Sequence, residues 1–231
     1  MDSAKLKDLI TGKDLSALVN IPVENKLLHG DVLADFLQFR ELAAGEGIAI
    51  KLTSSHRDFQ RQLTIWNEKV QGLRPVLDSS GVAMDISKLS ELDLMRAILR
   101  WNALPGTSRH HWGTDFDVYD EAARPTDYQV QLIPQEIEAG GVFERLGAWL
   151  EDYFSVAEEV PFFRPYRLDL QGVAPEWWHI SHRQTSGVIE KALDIEMVAQ
   201  IVSESPMELK ETVLENLEFI MKQYVFNISR S

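Results

Sequence analysis

Four of the six histidines in this chain lie in two short segments that also carry carboxylates. Residues 108–117 read SRHHWGTDFD, and residues 176–182 read EWWHISH. A catalytic zinc site needs three protein ligands from histidine and carboxylate, and it leaves a fourth position open to water. His110, Asp117 and His179 meet that need, so the two segments together predict a metal site.

Glu176 lies three residues before His179, near enough to face the same water molecule without binding the metal. That placement suits a general base, because zinc lowers the pKa of bound water to about 7 and a carboxylate can then take its proton. Taken singly, these residues have commoner explanations, since a histidine beside tryptophans is usually a hydrogen-bonded core residue. The prediction therefore depends on the joint pattern.

The composition limits which residue types could bind a metal and which kinds of molecule could be partners. Cysteine is absent, so disulfides and thiolate zinc sites are excluded and any metal must be held by histidine and carboxylate. The balance of 23 basic and 36 acidic residues gives a net charge of −13, which opposes the phosphate contacts that nucleic acids and anionic membranes require. We expect neither as a partner, and no stretch reaches the roughly 20 apolar residues of a membrane span.

The N-terminal residues predict the compartment. Residues 1–8 read MDSAKLKD, with charges where a signal peptide needs an apolar run. If Met1 is the native start, we expect a cytoplasmic protein. If a cleaved export signal is missing from this sequence, we expect a periplasmic one.

The elements around the two segments follow from hydrophobic periodicity, which is helical in four stretches and alternates in three. The predicted helices are residues 31–44, 58–70, 90–101 and 141–153. The predicted strands are residues 48–53, 114–119 and 177–181. Helices grouped with a few nonconsecutive strands indicate an α+β fold, in which helices flank a small antiparallel sheet that carries the zinc site.

The chain divides into three predicted parts. We expect an N-terminal extension over residues 1–23, a catalytic domain over residues 24–186 and a C-terminal helical extension over residues 187–231. In the last part, a helix capped by Ser205 carries one apolar stripe that continues to Tyr224. We expect this stripe to pack on the catalytic domain of a monomer, with a homodimer interface as the alternative.

The spacing of the site residues resembles that of a known family. Residues 108–117 and 176–179 resemble the paired S-x-H-x-x-G-x-x-x-D and E-x-W-H signatures of VanY-like D-alanyl-D-alanine carboxypeptidases, a zinc peptidase group that also includes lysostaphin-type enzymes and hedgehog domains. Residues 54–62, SSHRDFQRQ, resemble the family's S-G-Y-R segment with a glutamine five residues after the arginine. The resemblance covers about residues 24–183.

That resemblance implies a role for each site residue. The implied zinc ligands are His110, Asp117 and His179. Glu176 is the implied catalytic base, while Ser108 and Gln62 would hold the terminal carboxylate of the substrate. Arg57 would stabilise the oxyanion of the tetrahedral intermediate, a task that suits arginine because it stays charged and offers several donors.

Three positions depart from the family pattern. Asp115 stands where a small residue is usual, and on a strand it faces the same way as Asp117, so it would orient a ligand histidine or compete as a ligand. Trp177 replaces the proline of the common E-P-W-H sequence, and His182 replaces a frequent tyrosine. These changes bear on substrate specificity more than on zinc binding.

The resemblance implies a hydrolase that removes the C-terminal D-alanine from peptidoglycan stem peptides or muropeptides. A cytoplasmic enzyme would be an L,D-carboxypeptidase acting on recycled tetrapeptides, and an exported one would be a D,D-carboxypeptidase acting on pentapeptides. The alternatives are an endopeptidase with a groove open at both ends, and a zinc-stabilised binding module without catalysis. The retained Glu176 argues against the module, whereas His111 or His182 in the fourth metal position would favour it.

Overall fold

The computed structural model describes residues 3–22, 24–156 and 160–230. Its α-helices are α1 (Ser3–Ile10), α2 (Gly30–Gly45), α3 (Phe59–Val70), α4 (Glu91–Trp101), α5 (Glu144–Phe154), α6 (Arg183–Glu190), α7 (Ile195–Glu204), α8 (Lys210–Glu215) and α9 (Leu217–Ile220). Its strands are β1 (Leu18–Ile21), β2 (Lys26–His29), β3 (Ile50–Ser54), β4 (Asp115–Asp120), β5 (Phe162–Phe163) and β6 (His179–His182). Short 3-10 helices lie at Ile86–Lys88, Arg109–Trp112 and Pro134–Glu136, and a π-helical turn lies at Met221–Val225. Within these ranges, no helix combines the length and apolar character that crossing a bilayer requires.

The strands of the described chain form a two-stranded hairpin and a four-stranded sheet, both antiparallel. The larger sheet has the order β3-β4-β6-β5, so β4 and β6 lie at its centre. Across these two strands Phe116 pairs with Ile180, and Asp117 pairs with His179. Because side chains alternate along a strand, the two apolar residues face one side of the sheet and the aspartate and histidine face the other. The expected α+β fold with a small antiparallel sheet is confirmed.

Two large hydrophobic cores hold these elements together. The first lies between the apolar face of the larger sheet and helices α2 and α5, and it includes Phe36 and Phe116. The second joins α3 and α4 to α7, α8 and α9, and it includes Trp66 and Trp112. Residues 108–117 run from the second core at Trp112 to the first core at Phe116, so both cores anchor this segment.

The helix expected to open at Ser205 begins later, and its predicted start was wrong. Leu209 has a left-handed backbone with a φ of 57°, and α8 starts only at the next residue. Trp66 on α3 donates from Nε1 to the Glu208 carbonyl at 3.0 Å, which holds the preceding turn against α3. Asn216, with a φ of −111° and a ψ of 13°, then separates α8 from α9. Tertiary contacts therefore override the local capping pattern.

The apolar stripe of the C-terminal helical extension lies in the second core. Val213 and Ile220 are fully buried there, and Leu217 is 4% exposed. Met95 of α4 belongs to the same group of packed side chains. The stripe is therefore used within one chain, where it packs on the helices that precede it.

The N-terminal region contains elements that the periodicity did not indicate, namely α1 and the β1–β2 hairpin. The hairpin contacts residues 108–117, the metal segment, since the backbone N–H of His29 donates to the Gly113 carbonyl at 2.8 Å. Met1, on which the expected compartment depends, lies outside the described residues. The region thus supports the turn that precedes β4.

Candidate metal centre

Three buried side chains from separate elements converge on one point. The ligand atoms of His110, Asp117 and His179 all lie within 4.8 Å of one another. His110 Nε2 lies 3.3 Å from Asp117 Oδ2, and His179 Nδ1 lies 3.1 Å from Asp117 Oδ1. The fold thus brings together the three residues that the sequence spacing singled out.

A tight turn and the two central strands position this group. His110 lies on the 3-10 helix before β4, and the other two ligands are neighbours across β4 and β6. Gly113 ends the 3-10 helix with a φ of 68°, a conformation that favours glycine. A Cβ at this position would stand 2.5 Å from Leu18 Cδ2 and 2.9 Å from the backbone nitrogen of His29. Only glycine fits the turn that carries the first ligand.

Each ligand histidine has one nitrogen engaged away from the group. His110 Nδ1 lies 3.0 Å from the Ser55 carbonyl, and His179 Nε2 lies 3.1 Å from Asp115 Oδ1. Outer contacts of this kind fix the tautomer and ring orientation of metal-binding histidines. They leave the nitrogens that face Asp117 available to a metal.

The inward-facing atoms lack other partners. Among the described residues, Asp117 Oδ1 and His179 Nδ1 are buried and lie 3.1 Å apart, but neither atom makes a well-aligned hydrogen bond. Leaving a buried polar atom unsatisfied costs about 1–3 kcal/mol, so this arrangement calls for a ligand. Two imidazoles and one carboxylate form a donor set that catalytic zinc sites use. The residues therefore fit a zinc ion.

The electrostatics of the group also favour a cation. Burial raises the pKa of Asp117, but His110 and His179 outweigh burial and hold this pKa well below its usual range. Burial lowers the pKa of His179, but the neighbouring carboxylates of Asp115, Asp117 and Glu176 outweigh burial and raise this pKa well above its usual value. The carboxylates of Asp115, Asp117 and Glu176 thus surround the His179 ring, and they stabilise a positive charge at its inward nitrogen.

Glu176 stands beside the group without belonging to it. Its Oε2 lies 3.4 Å from His179 Nδ1, and its side chain is 17% exposed. Its backbone N–H donates to the Tyr166 carbonyl at 2.8 Å, and its carbonyl accepts from the His179 N–H at 3.2 Å. A carboxylate fixed at the edge of the site and reached by solvent is placed to exchange protons with water.

Arg57 is held on several sides next to the group. Its backbone N–H donates to the His110 carbonyl at 3.0 Å, and its guanidinium donates to Gln62 Oε1 at 2.9 Å and to Ser54 Oγ at 3.0 Å. Burial lowers the pKa of Arg57, while attraction to the ligand aspartate and to Glu176 opposes that shift. The structure therefore places this cation within electrostatic reach of Asp117 and Glu176.

Both amide atoms of Gln62 make hydrogen bonds within the protein, whereas the side chain of Ser108 makes no capping hydrogen bond among the described residues. Gln62 is fully buried, with Oε1 accepting from Arg57 and Nε2 donating to the Ala103 carbonyl at 2.7 Å. Its amide braces the arginine, and the contact expected between Gln62 and the substrate carboxylate stays a prediction. Ser108 precedes the 3-10 helix, and in the described chain its side chain makes no capping hydrogen bond. Its contact with a substrate carboxylate stays a prediction.

Comparison with known proteins decides the family. The family model of VanY, D-alanyl-D-alanine carboxypeptidase, matches residues 25–185. The chain belongs to this family. An uncharacterized protein of Haemophilus influenzae is 39% identical over 100 residues, which are 42% of this chain and 68% of that protein. A second one from the same organism is 30% identical over 128 residues, which are 53% of this chain and 92% of that protein.

Solved structures of VanY proteins share the fold. VanYB in complex with D-alanine-D-alanine has a TM-score of 0.51 and 16% identity, over 81% of this chain and 89% of that one. A mutant of the vancomycin resistance D,D-pentapeptidase VanY in complex with Zn(II) has a TM-score of 0.50 and 17% identity, over 78% of this chain and 86% of that one. At this level of identity, the likeness shows that the VanY fold is shared.

Asp115, a departure from the usual VanY sequence, lies behind a ligand. Its Oδ1 is 3.1 Å from His179 Nε2, the nitrogen that faces away from the group, and it accepts from Arg109 Nε at 2.8 Å. Its Oδ2 accepts from Thr114 Oγ1 at 2.6 Å. Of the two roles expected for Asp115, this geometry supports the orientation of a ligand histidine.

His111 and His182, the two histidines considered for the fourth metal position, make contacts outside the metal-binding group. His111 lies with Nδ1 2.6 Å from the Arg57 carbonyl, and burial lowers its pKa to about 3, so the ring is neutral. His182 lies with Nε2 2.9 Å from Asp35 Oδ2. Within the described residues, the metal-binding group includes neither of them. No histidine of that part of the chain closes the fourth metal position.

Tyr166 is a neighbour of the VanY-type site that the sequence motifs did not reveal. Its ring packs edge-on against His179 with 4.9 Å between the ring centroids. Burial raises the pKa of Tyr166 to about 12, so its hydroxyl is neutral. It follows the two-residue strand β5, and only its closeness in sequence to residues 176–182 offered a signal.

Proposed function

We propose that the protein is a zinc-dependent carboxypeptidase that removes the C-terminal D-alanine from peptidoglycan stem peptides. The observation that carries this proposal is the buried group of His110, Asp117 and His179, with unsatisfied atoms that face inward and Glu176 beside them. A structural zinc site is closed by four protein ligands and has no use for a neighbouring base. Membership of the VanY family supports the reaction class, a carboxypeptidase that acts on peptidoglycan peptides.

Each site residue has a separate role in the proposed hydrolysis. His110, Asp117 and His179 would hold the zinc ion, which when bound would supply a Lewis acid for the hydrolysis. Glu176 takes a proton from the attacking water at Oε2 and returns it to the amine of the leaving D-alanine. Arg57, braced by Gln62, offers N–H donors to the negative charge that develops on the carbonyl oxygen.

The cellular compartment determines which stem peptide is available to the enzyme as a substrate. In the cytoplasm, recycled tetrapeptides end in D-alanine attached to the L-centre of a diamino acid, and their cleavage is an L,D-carboxypeptidase reaction. An exported enzyme would instead meet pentapeptides that end in two D-alanines, and their cleavage is a D,D-carboxypeptidase reaction. The proposal covers both bonds, because the same ligands and base serve either one.

An assay with both peptides tests the proposal. Purified protein is incubated with free tetrapeptide and with free pentapeptide, with and without a chelator, and released D-alanine is measured. We expect release from at least one peptide, its loss with the chelator and its return when zinc is restored. Peptide binding with no release of D-alanine under any metal or pH condition would replace this proposal with the binding-module alternative.

A further inference from the structure

We propose that Glu190 is a positioning residue for the metal centre, which acts on His179 through Arg109 and Asp115. Glu190 is the last residue of α6 and lies beyond residues 25–185, which match the VanY family model. The inference rests on the proposed function and deepens it. It names a residue of the C-terminal helical extension that helps to set the geometry of a zinc ligand.

The link begins at Arg109, whose side chain is 3% exposed. Its guanidinium donates from Nε to Asp115 Oδ1, from Nη1 to Glu190 Oε2 and from Nη2 to Ser181 Oγ, each at 2.8 Å. The guanidinium carbon lies 4.8 Å from the centroid of the Trp112 ring. A guanidinium is planar and rigid. Acceptors bound to two of its nitrogens therefore also fix the position of its third nitrogen.

Asp115 transmits that position to the metal ligand. Its Oδ1 lies within hydrogen-bond distance of both Arg109 Nε, at 2.8 Å, and His179 Nε2, at 3.1 Å. Its Oδ2 accepts from Thr114 Oγ1 at 2.6 Å. With both oxygens engaged the carboxylate has little freedom, so a shift of the guanidinium must change its contact with the imidazole. Such outer contacts control the orientation and basicity of metal-binding histidines.

Glu190 is itself held in place from its outer side. Its side chain is 10% exposed, and its Oε1 accepts from Arg230 Nη2. The Arg230 carbonyl accepts in turn from Arg183 Nη1 at 3.0 Å. One buried cation, Arg109, is thus shared between the carboxylates of Asp115 and Glu190. Without the charge of Glu190, Asp115 is the only carboxylate that attracts the guanidinium. The guanidinium then shifts toward Asp115, and the contact between Asp115 Oδ1 and His179 Nε2 changes in distance and angle.

A purely structural role for Glu190 makes a different prediction. If the residue only fastens α6 to the 3-10 helix at Arg109–Trp112, its loss lowers the unfolding temperature and leaves the zinc affinity of the folded protein unchanged. The positioning role requires a loss of zinc affinity at temperatures where the protein is fully folded.

The test compares Glu190→Gln with Glu196→Gln, a matched change at an exposed glutamate of the same extension. Zinc affinity is measured by competition with a chromophoric chelator, and the Co(II) spectrum reports the geometry of the site. We expect Glu190→Gln to weaken zinc binding by about 10-fold, the lower end of the range for outer contacts of metal ligands, and to alter the Co(II) spectrum. Glu196→Gln should match the parent. An unchanged affinity and spectrum in folded Glu190→Gln protein would overturn the inference.

A second comparison uses Arg109→Lys, which keeps the charge beside Asp115 and removes the planar fork. In the Arg109→Lys background, Glu190→Gln should weaken zinc binding no further, because residues on one path have non-additive effects. Fully additive losses would overturn the inference, as would a parent protein that binds no zinc. D-alanine release by the parent is measured separately, so a parent that binds zinc without hydrolysis contradicts the proposed function and not the role of Glu190.

Discussion

At the scale of single residues, the site uses three neighbouring carboxylates in three ways. Asp117 belongs to the metal-binding group, and its Oδ1 lies 3.1 Å from His179 Nδ1. Asp115 lies behind the same ring, 3.1 Å from its other nitrogen. Glu176 stands at the edge and keeps its side chain 17% exposed. The role of each carboxylate follows from the atom that it faces and from its access to water.

Replacing His179 with alanine should remove most of the bound zinc, because this ring supplies one of the three inward ligand atoms. His182→Ala is the matched control, since this residue lies three positions later and its Nε2 contacts Asp35 at 2.9 Å. Elemental analysis of the two purified variants measures the outcome. We expect zinc to stay in His182→Ala, and full zinc occupancy in His179→Ala would contradict the ligand assignment.

Glu176→Ala should keep its zinc and lose most of its activity, because a base that only moves protons is not needed to hold the metal. General acid–base catalysis contributes about 10²–10⁴-fold, so the rate of D-alanine release should fall by that order. The measurements are kcat for D-alanine release and zinc content. Glu138→Ala changes an exposed glutamate and serves as the control. Loss of zinc from Glu176→Ala would show that this carboxylate is a ligand.

At the scale of elements, the grouping of the three candidate metal ligands could be predicted from the sequence, whereas most of the contacts that support them could not. Ligand chemistry restricts His110 and Asp117 to a few residue types at a fixed spacing, and that spacing is visible within one short segment. Gln62 could be found from its spacing to Arg57, but its second contact, from Nε2 to the Ala103 carbonyl, depends on how α3 packs against the chain after α4. Tyr166 gains its place only when the loop after β5 meets the sheet, and that contact leaves no periodic signal. The capping pattern at Ser205 misled for the same reason, because a tertiary contact with α3 outweighs it.

The turn before β4 gives a prediction at this scale. Gly113→Ala should lower both stability and zinc affinity, because a Cβ would stand 2.9 Å from the backbone nitrogen of His29. Gly140→Ala is the control, since its φ of 82° carries the same backbone strain and nothing in the described chain lies within 4 Å of the added Cβ. That strain costs about 1–3 kcal/mol in either variant. Urea unfolding and chelator competition measure the difference. Equal effects in the two variants would show that the contact with the hairpin is unimportant.

At the scale of the whole molecule, the metal segment is held between two cores. Trp112 belongs to the core built by the helices, and Phe116 belongs to the core under the sheet. The C-terminal helical extension contributes Val213 and Ile220 to the core built by the helices, and both side chains are fully buried. The extension also supplies Glu190 to the charged path behind His179. It therefore supports the site through apolar packing as well as through charge.

The packing of the extension leads to a prediction for the stability of the whole chain. Ile220→Ala removes a fully buried side chain, which typically costs about 2–5 kcal/mol of unfolding free energy. At roughly 2–4 °C per kcal/mol for a chain of this size, the melting temperature should fall by about 4–20 °C. Val188→Ala is the control, because that side chain is 67% exposed and its change should stay within about 0.5 kcal/mol.

Protein concentration separates this packing from the alternative of a dimer interface. If the stripe packs within one chain, the loss in Ile220→Ala is the same at low and high protein concentration. If the stripe instead joined two chains, mass action would make the melting temperature of the parent rise with concentration, and the loss in the variant would depend on concentration as well. Thermal unfolding over a hundredfold range of concentration distinguishes the two. We expect the same melting temperature throughout for each protein, with Ile220→Ala lower than the parent by a constant amount.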